Sequence, residues 1–344
     1  MTKERIDILL KEYEEKYPIY EEFSSRLKLI LEDVLVSEDL SYLSVESRTK
    51  AQVNLRQKIE SGTINVSKLV DVRDLTGVRI NTYVYEDITK IENVLKENFD
   101  LSQIEIDERL GINKVGYRSH HWVLTLPSQR VSLPEYKKFE GLKAELQIRT
   151  VLQHAWAQIG HNQIYKPNVL LPDKIKRDFT LLSGLLEIAD NEFSRISQEI
   201  SKYTEEIDIK TSTGDLNVKI DSVSLRSYFD NKFAKMSNVE KKFGPKDDMI
   251  ELIIEELNLI GVSTLREFDE IIPVDFIKVS ENLDRDSNYT GVARNIMVIS
   301  KPEQYFEHAW RNNWIIGKDS DLSIYTQYNI DVETKMNKYL PNLQ

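Results

Sequence analysis

The chain has 344 residues, 46 Lys+Arg against 57 Asp+Glu, a formal net charge of −11 and no Cys. That excludes disulfides, Cys-based zinc or iron–sulfur centres and a thiol nucleophile, and the acidic balance disfavours non-specific wrapping of long nucleic acid. No apolar run approaches the roughly 18–20 residues that span a bilayer, and the charged N-terminus is unlike a signal peptide, so the expectation is a cytoplasmic protein of about two domains with no membrane partner.

Residues 3–35 read as helical, with apolar positions at Ile6, Leu9, Leu10, Tyr13 and Tyr17 and again at Phe23, Leu27, Ile30, Leu31 and Leu35, close to helical spacing. Pro18 is expected to split this stretch into two helices. Residues 38–45 fit a strand or a turn. A further helix is expected over about 49–61, stopped at Ser61-Gly62. Thr76–Tyr85 is β-rich, and Glu86–Asn98 is amphipathic and helical. Short strands are expected near Ser102–Asp107, Ser119–Leu126 and Lys143–Thr150, then helices over about 151–165 and 172–204. Strands alternate with helices without a regular βαβ series, which predicts an α+β fold built on a mixed sheet flanked by helices.

The polar stretch 208–222, with a turn signal at Gly214, is expected to be a linker. It separates a first domain over 1–207 from an accessory domain over 223–344. That second domain is expected to be smaller and mainly helical, with helices at about 223–235, 246–260, 264–271 and 302–312.

Chemistry-bearing residues concentrate in the middle of the chain. Four of the five His residues (His120, His121, His154, His161) fall within 42 positions. Alternate side chains on a strand share a face, so Glu145, Gln147 and Arg149 point one way while Leu146 and Ile148 point into the core. This is either a polar site on a rigid element or an exposed face of mixed charge. Arg48, Lys50, Arg56 and Lys58 lie on or just before the 49–61 helix, with Lys50 and Lys58 about two turns apart. They form either a triphosphate-binding row or a solvated basic face. Asp74, just before a strand, is either a hard-metal ligand of the kind Mg²⁺ uses or a turn residue.

Five blocks in order carry a resemblance: Ser47-Arg48-Thr49-Lys50, Asp74–Ile80, Gly116–His121, Glu145–Thr150 and His161–Lys166. Together they resemble the synthetase domain of the RelA/SpoT family, over about residues 40–200. These alarmone synthetases transfer pyrophosphate from ATP to the 3′-OH of GDP or GTP. The resemblance implies a nucleotidyltransferase-like synthetase fold, with Arg48, Lys50, Lys58 and Arg79 binding ATP. It implies Asp74 and Glu145 as the catalytic carboxylates around Mg²⁺, with Glu145 deprotonating the attacking hydroxyl. On the acceptor side it implies Tyr117 stacking on the base, with His121, Gln147, Arg149 and His154 as further contacts.

Three departures fall on that acceptor side. Gly-Tyr-Arg-Ser-Leu-His becomes Gly-Tyr-Arg-Ser-His-His, the basic Lys114 sits one position closer to the Gly-Tyr pair, and His154 stands where small synthetases often carry Asn or Asp. They leave open a second acceptor, the 3′-terminal adenosine of tRNA, as in toxin-like members. No His-Asp dipeptide occurs, so synthesis without hydrolysis is expected. The resemblance also admits a homo-oligomer. In the C-terminal region, Tyr325 and Tyr328 are expected to pack within the small domain, the alternative being an autoinhibitory plug over the adenine site. Trp310 and Trp314 are expected in its core.

Overall fold

The computed structural model describes residues 3–62, 64, 66, 68–103, 120–164, 171–244, 249–283, 286–310, 321–332 and 334. The chain divides into two compact units, residues 1–198 and 199–344. Among the described residues no helix is long and apolar enough to cross a membrane.

The first unit opens with α1 (Lys3–Ser37), a single helix with Pro18 inside it. The expected break at Pro18 does not occur. Proline forfeits a donor and crowds the preceding turn, at a cost of ~3 kcal/mol in a helix interior. The apolar stripe keeps its phase across it, however: Tyr13, Tyr20, Phe23, Leu27 and Leu31 are all buried. Burying side chains of this kind contributes about 1.5–3 kcal/mol each, enough to hold the helix together through the proline.

Five strands follow: β1 (Ser44–Thr49), β2 (Thr76–Thr82), β3 (Asp100–Gln103), β4 (His120–Thr125) and β5 (Ala144–Thr150). They form one sheet in the order β1-β2-β5-β4-β3. The β2–β5 pair is parallel and the other pairs are antiparallel. Helices α2 (Gln52–Glu60) and α3 (Tyr85–Asn98) lie between strands in the chain, and the short α4 (Ser128–Val131) precedes β5. This is the α+β, helix-flanked mixed sheet expected from the sequence.

One face of the sheet is apolar. Val45, Val78, Ile80, Trp122, Leu124, Leu146 and Ile148 pack in one core with Phe23, Leu27 and Leu31 of α1 and Ile88, Ile91 and Leu95 of α3. Strand periodicity of two then forces the intervening polar residues onto the opposite face.

Beyond β5, α5 (Val151–Ile159) starts at a capping box. The Thr150 side chain accepts from Gln153 N–H, and the Gln153 side chain accepts from Thr150 N–H. Such a reciprocal cap satisfies two otherwise orphaned donors and sets the strand-to-helix angle. A π-helical turn, Gly160–Ile164, follows, then the long α6 (Asp173–Thr213). The first part of α6 is tied to the sheet by Thr150 Oγ1 donating to Asp190 Oδ2 at 2.7 Å and by Tyr85 N–H donating to Ser194 Oγ at 3.2 Å. Trp156 stacks on Phe179 at 4.8 Å between ring centroids.

The second unit takes in the end of α6 and then α7 (Ser222–Lys232), β6 (Val239–Glu240), α8 (Met249–Leu259), α9 (Leu265–Glu270), α10 (Phe276–Asn282), β7 (Ser287–Asn288), α11 (Tyr289–Ser300), α12 (Pro302–Gln304) and α13 (Asp321–Gln327). It is mainly helical, as expected. The stretch 208–222, expected as a linker, is packed structure. α6 runs through Thr213, and Val218 and Ile220 are buried with Ile207 in this unit's core. Backbone bonds from Ile220 N to Ser263 O and from Leu265 N to Val218 O, both 2.9 Å, fix it there. The overlooked signal is the alternation of Leu216, Val218 and Ile220 inside a polar composition.

α10 and α11 also went unread. α11 is buried over most of its circumference, so it lacks the one-sided apolar stripe that marks a surface helix. Its Arg294 forms a buried pair with Glu256 at 2.6 Å, and Tyr305 donates to the same carboxylate at 3.0 Å. Tyr325 is buried and donates to Asn295 Oδ1 at 2.7 Å, while Tyr328 and Trp310 pack against the same core. Both tyrosines and Trp310 thus belong to the core of the second unit. Trp314 lies outside the described residues.

Candidate active site

The polar face of the sheet is ordered by strand register. Arg48 of β1 stands opposite Gly77 of β2, which stands opposite Glu145 of β5. The next row runs Glu46, Arg79, Gln147, His121, and the one beyond it Ser44, Asn81, Arg149. Arg48, Asp74, Arg79, Glu145 and Gln147 line one cleft together with Glu46 and Gly77. Gly77 serves by lacking a side chain: a Cβ there would sit 3.5 Å from Arg48 Nε, so the guanidinium lies directly over the backbone.

The cations expected to bind ATP are placed differently from the expectation. Arg48 is on a strand, and Lys50 lies in the connection before α2. The two lysines therefore do not share a helix face. They converge instead on one acceptor: Lys58 Nζ lies 2.6 Å from Asp74 Oδ2, and Lys50 Nζ also ends on that oxygen. Burial works against ionised Asp74, but the hydrogen bonds from Lys50 and Lys58 outweigh it and hold the carboxyl below its usual range. Burial lowers the Lys50 ammonium. For Lys58 burial is overcome by the bond to Asp74, and its pKa is raised. The Lys50 segment is pinned from behind by Tyr13, whose hydroxyl donates to Lys50 O at 2.6 Å. Arg56 points elsewhere, to Asp7 at 3.1 Å.

Glu145 is the second carboxylate. His121 Nδ1 donates to its Oε1 at 3.0 Å and Gln147 Nε2 donates at 3.1 Å. The His121 bond is the main cause of a pKa pulled down to about 2, against the opposing effect of burial. Gln147 Oε1 in turn accepts from Arg149 Nη2. Arg149 is buried, which pushes its guanidinium down to about 10, so it stays cationic at neutral pH. Among the described residues its Nε has no partner, nor do Arg79 Nε and His154 Nδ1. Burial also lowers the pKa of His154, which favours the neutral ring. Buried polar atoms without partners are uncommon, and three of them fall at this end of the face.

Glu46 and Asn81 take part in this face without having been expected there. Glu46 accepts from Arg79 Nη1 at 3.2 Å and from Asn81 Nδ2 at 3.1 Å, so it orients both. The signal was available, since Glu46 and Arg48 are two apart on one strand. Tyr117, expected to stack on the acceptor base, lies outside the described residues, as do Lys114, Gly116, Arg118, Ser119, Tyr165 and Lys166. His161 sits in the π-helical turn and is exposed.

Two ionised carboxylates among arginines and lysines, presented on a rigid mixed sheet, define a domain suited to phosphoryl-group chemistry. Residues 47–169 match the region found in RelA/SpoT proteins. The chain is 28% identical over 159 residues to the GTP pyrophosphokinase YjbM of Bacillus subtilis, covering 46% of this chain and 73% of YjbM. It is 30% identical over 130 residues to the GTP pyrophosphokinase YwaC of the same organism, covering 38% of this chain and 60% of YwaC. Among solved structures, small alarmone synthetase 1 from Bacillus subtilis bound to its product pppGpp aligns at 26% identity with a TM-score of 0.47, over 56% of this chain and 99% of that one.

Proposed function

We propose that the first unit transfers the β,γ-pyrophosphate of ATP to the 3′-OH of GDP or GTP, with AMP as leaving group, and that it does so with Mg²⁺ and without hydrolysing the product. The observation that carries this reading is that Asp74 and Glu145, seventy-one positions apart, line one cleft together with Arg48 and Arg79. The match of residues 47–169 to the region found in RelA/SpoT proteins and the similarity to GTP pyrophosphokinases support it.

The residues divide the work by chemistry. Arg48 and Arg79 offer planar forks to phosphate oxygens, whereas Lys50 and Lys58 offer compact point charges. The lysines already share one anionic oxygen, so a triphosphate competes with Asp74 for them. Asp74 and Glu145 are ionised hard-oxygen donors, which suits Mg²⁺, an ion usually held by one or two carboxylates plus phosphates. When bound there, the ion supplies charge stabilisation to the transferring group.

Glu145 orients the 3′-hydroxyl and takes its proton as the new O–P bond forms. A carboxylate held near 2 is a weak base at rest, so this transfer is driven by the bond being made. His121 and Gln147 fix the carboxylate's direction from one oxygen. Arg149 and His154 lie further along and suit the acceptor nucleoside.

The test is incubation with γ-labelled ATP and Mg²⁺ in the presence of GDP, GTP or deacylated tRNA, followed by separation of products. Label in a guanosine nucleotide is expected. Label confined to tRNA moves the acceptor to a terminal adenosine, and no transfer to any acceptor overturns the assignment.

A further inference from the structure

Alternate residues of β4 face opposite sides of the sheet. His121 faces the nucleotide cleft, whereas His120 and Trp122 face α3. There Glu92 of α3 is buried, and its Oε1 receives Trp122 Nε1 at 2.9 Å and lies 2.7 Å from His120 Nδ1. On the far side of the imidazole, Nε2 lies 3.1 Å from the hydroxyl of Tyr85, at the start of α3. Among the described residues, the charged groups facing this cluster are Glu92 and Lys96, the latter with its ammonium 5.0 Å from the Trp122 ring centroid.

Proton positions follow from the partners. Burial works against an ionised Glu92, but the bonds from His120 and Trp122 outweigh it and hold the carboxyl below its usual range. An ionised carboxylate only accepts, so His120 carries its proton on Nδ1, and in the neutral ring Nε2 is then the acceptor. Tyr85 therefore donates to it. Hydroxyl, imidazole and carboxylate stand in line, the arrangement by which an adjacent base activates a hydroxyl nucleophile. The carboxylate end is buried, and the hydroxyl end belongs to a residue 39% exposed.

We propose that Tyr85 is a modification site: its phenol accepts an acyl group from an activated acyl donor, with His120 as general base and Glu92 holding the imidazole. The phenol oxygen bonds to the acyl carbon, and the bond from that carbon to the donor's leaving group breaks, its electron pair departing with the leaving group. The phenolic proton passes to His120 Nε2 and on to solvent. No oxidant or reductant is required. This centre lies on the opposite sheet face from the nucleotide cleft, and it does not depend on the function proposed for that cleft.

The experiment uses the full chain and N-acetylimidazole at pH 7, with the rate of O-acetylation at each tyrosine followed by peptide mass spectrometry. Tyr83, two residues away and 51% exposed, is the internal reference; exposure alone would label it faster than Tyr85. Base activation predicts that Tyr85 labels at least about tenfold faster than Tyr83, a conservative share of the effect of a positioned base. It also predicts that His120→Gln brings Tyr85 down to the Tyr83 rate or below. A wild-type Tyr85 no faster than Tyr83 would overturn the proposal without recourse to any variant, and so would an advantage that persists in His120→Gln.

Discussion

Lys58 Nζ lies 2.6 Å from Asp74 Oδ2, and Lys50 ends on the same oxygen. Two cations from opposite ends of α2, Lys50 just before it and Lys58 in its last turn, thus rest on a single carboxylate. Asp74→Asn removes the charge that holds them, leaving two ammonium groups facing each other with Lys50 mostly buried. We expect a stability loss of about 2 kcal/mol, below the value for a fully buried pair because Lys58 is partly exposed, and loss of pyrophosphate transfer. Denaturant midpoints and a transfer assay measure the two effects separately.

Glu145→Gln keeps the side-chain shape and removes the proposed base. Transfer is expected to fall about 100-fold or more, while nucleotide binding, read by equilibrium titration, stays within a few-fold. Wild-type turnover in this variant would remove Glu145 from the reaction.

Gly77 tests the floor of the cleft. A Cβ would meet Arg48 at ordinary contact distance, so Gly77→Ala should be tolerated. Gly77→Leu should displace the guanidinium and raise KM for ATP while leaving the thermal midpoint nearly unchanged. Equal damage from both substitutions would argue against this role for the glycine.

Tyr13 is buried and donates to Lys50 O. Tyr13→Phe keeps the packing and deletes one hydrogen bond, at a cost of about 1 kcal/mol. Because the lost bond fixes the Lys50 segment, KM for ATP should rise more than kcat falls. A change in kcat alone would speak against it.

Glu92 supplies a pH test away from the cleft. Its folded pKa lies below the usual value, so its contribution to stability is present above the ordinary carboxylate pKa of about 4.3 and is lost as pH falls through the lower folded value. Glu92→Gln should cost about 1–3 kcal/mol at pH 7, with the gap to wild type narrowing below about pH 4. A gap constant from pH 7 to 3 would show that packing, not ionisation, is what Glu92 provides.

Much of the candidate site was legible because its logic is local. Glu145, Gln147 and Arg149 alternate with Leu146 and Ile148, and a period of two is enough to predict which of them share a polar face. Glu46 and Arg48 obeyed the same rule, but the strand they occupy was read as the approach to a helix, and Glu46 was lost with it. Pro18 misled in the other direction: its local penalty is real, yet a stripe held in phase over the whole helix outweighs it. α11 escaped because a helix buried on nearly all sides shows no contrast between faces.

Spacing along the chain was sufficient for residue types and faces, since those depend on the backbone period of each element alone. It could not place Asp74 and Glu145 in one cleft, or set Lys50 and Lys58 on one oxygen. Those relations arise from the parallel pairing of β2 with β5, which registers Gly77 against Glu145 across two intervening helices and two other strands. The free energy of that pairing comes from the apolar face of the sheet. Burial there therefore settles which charges meet on the other side.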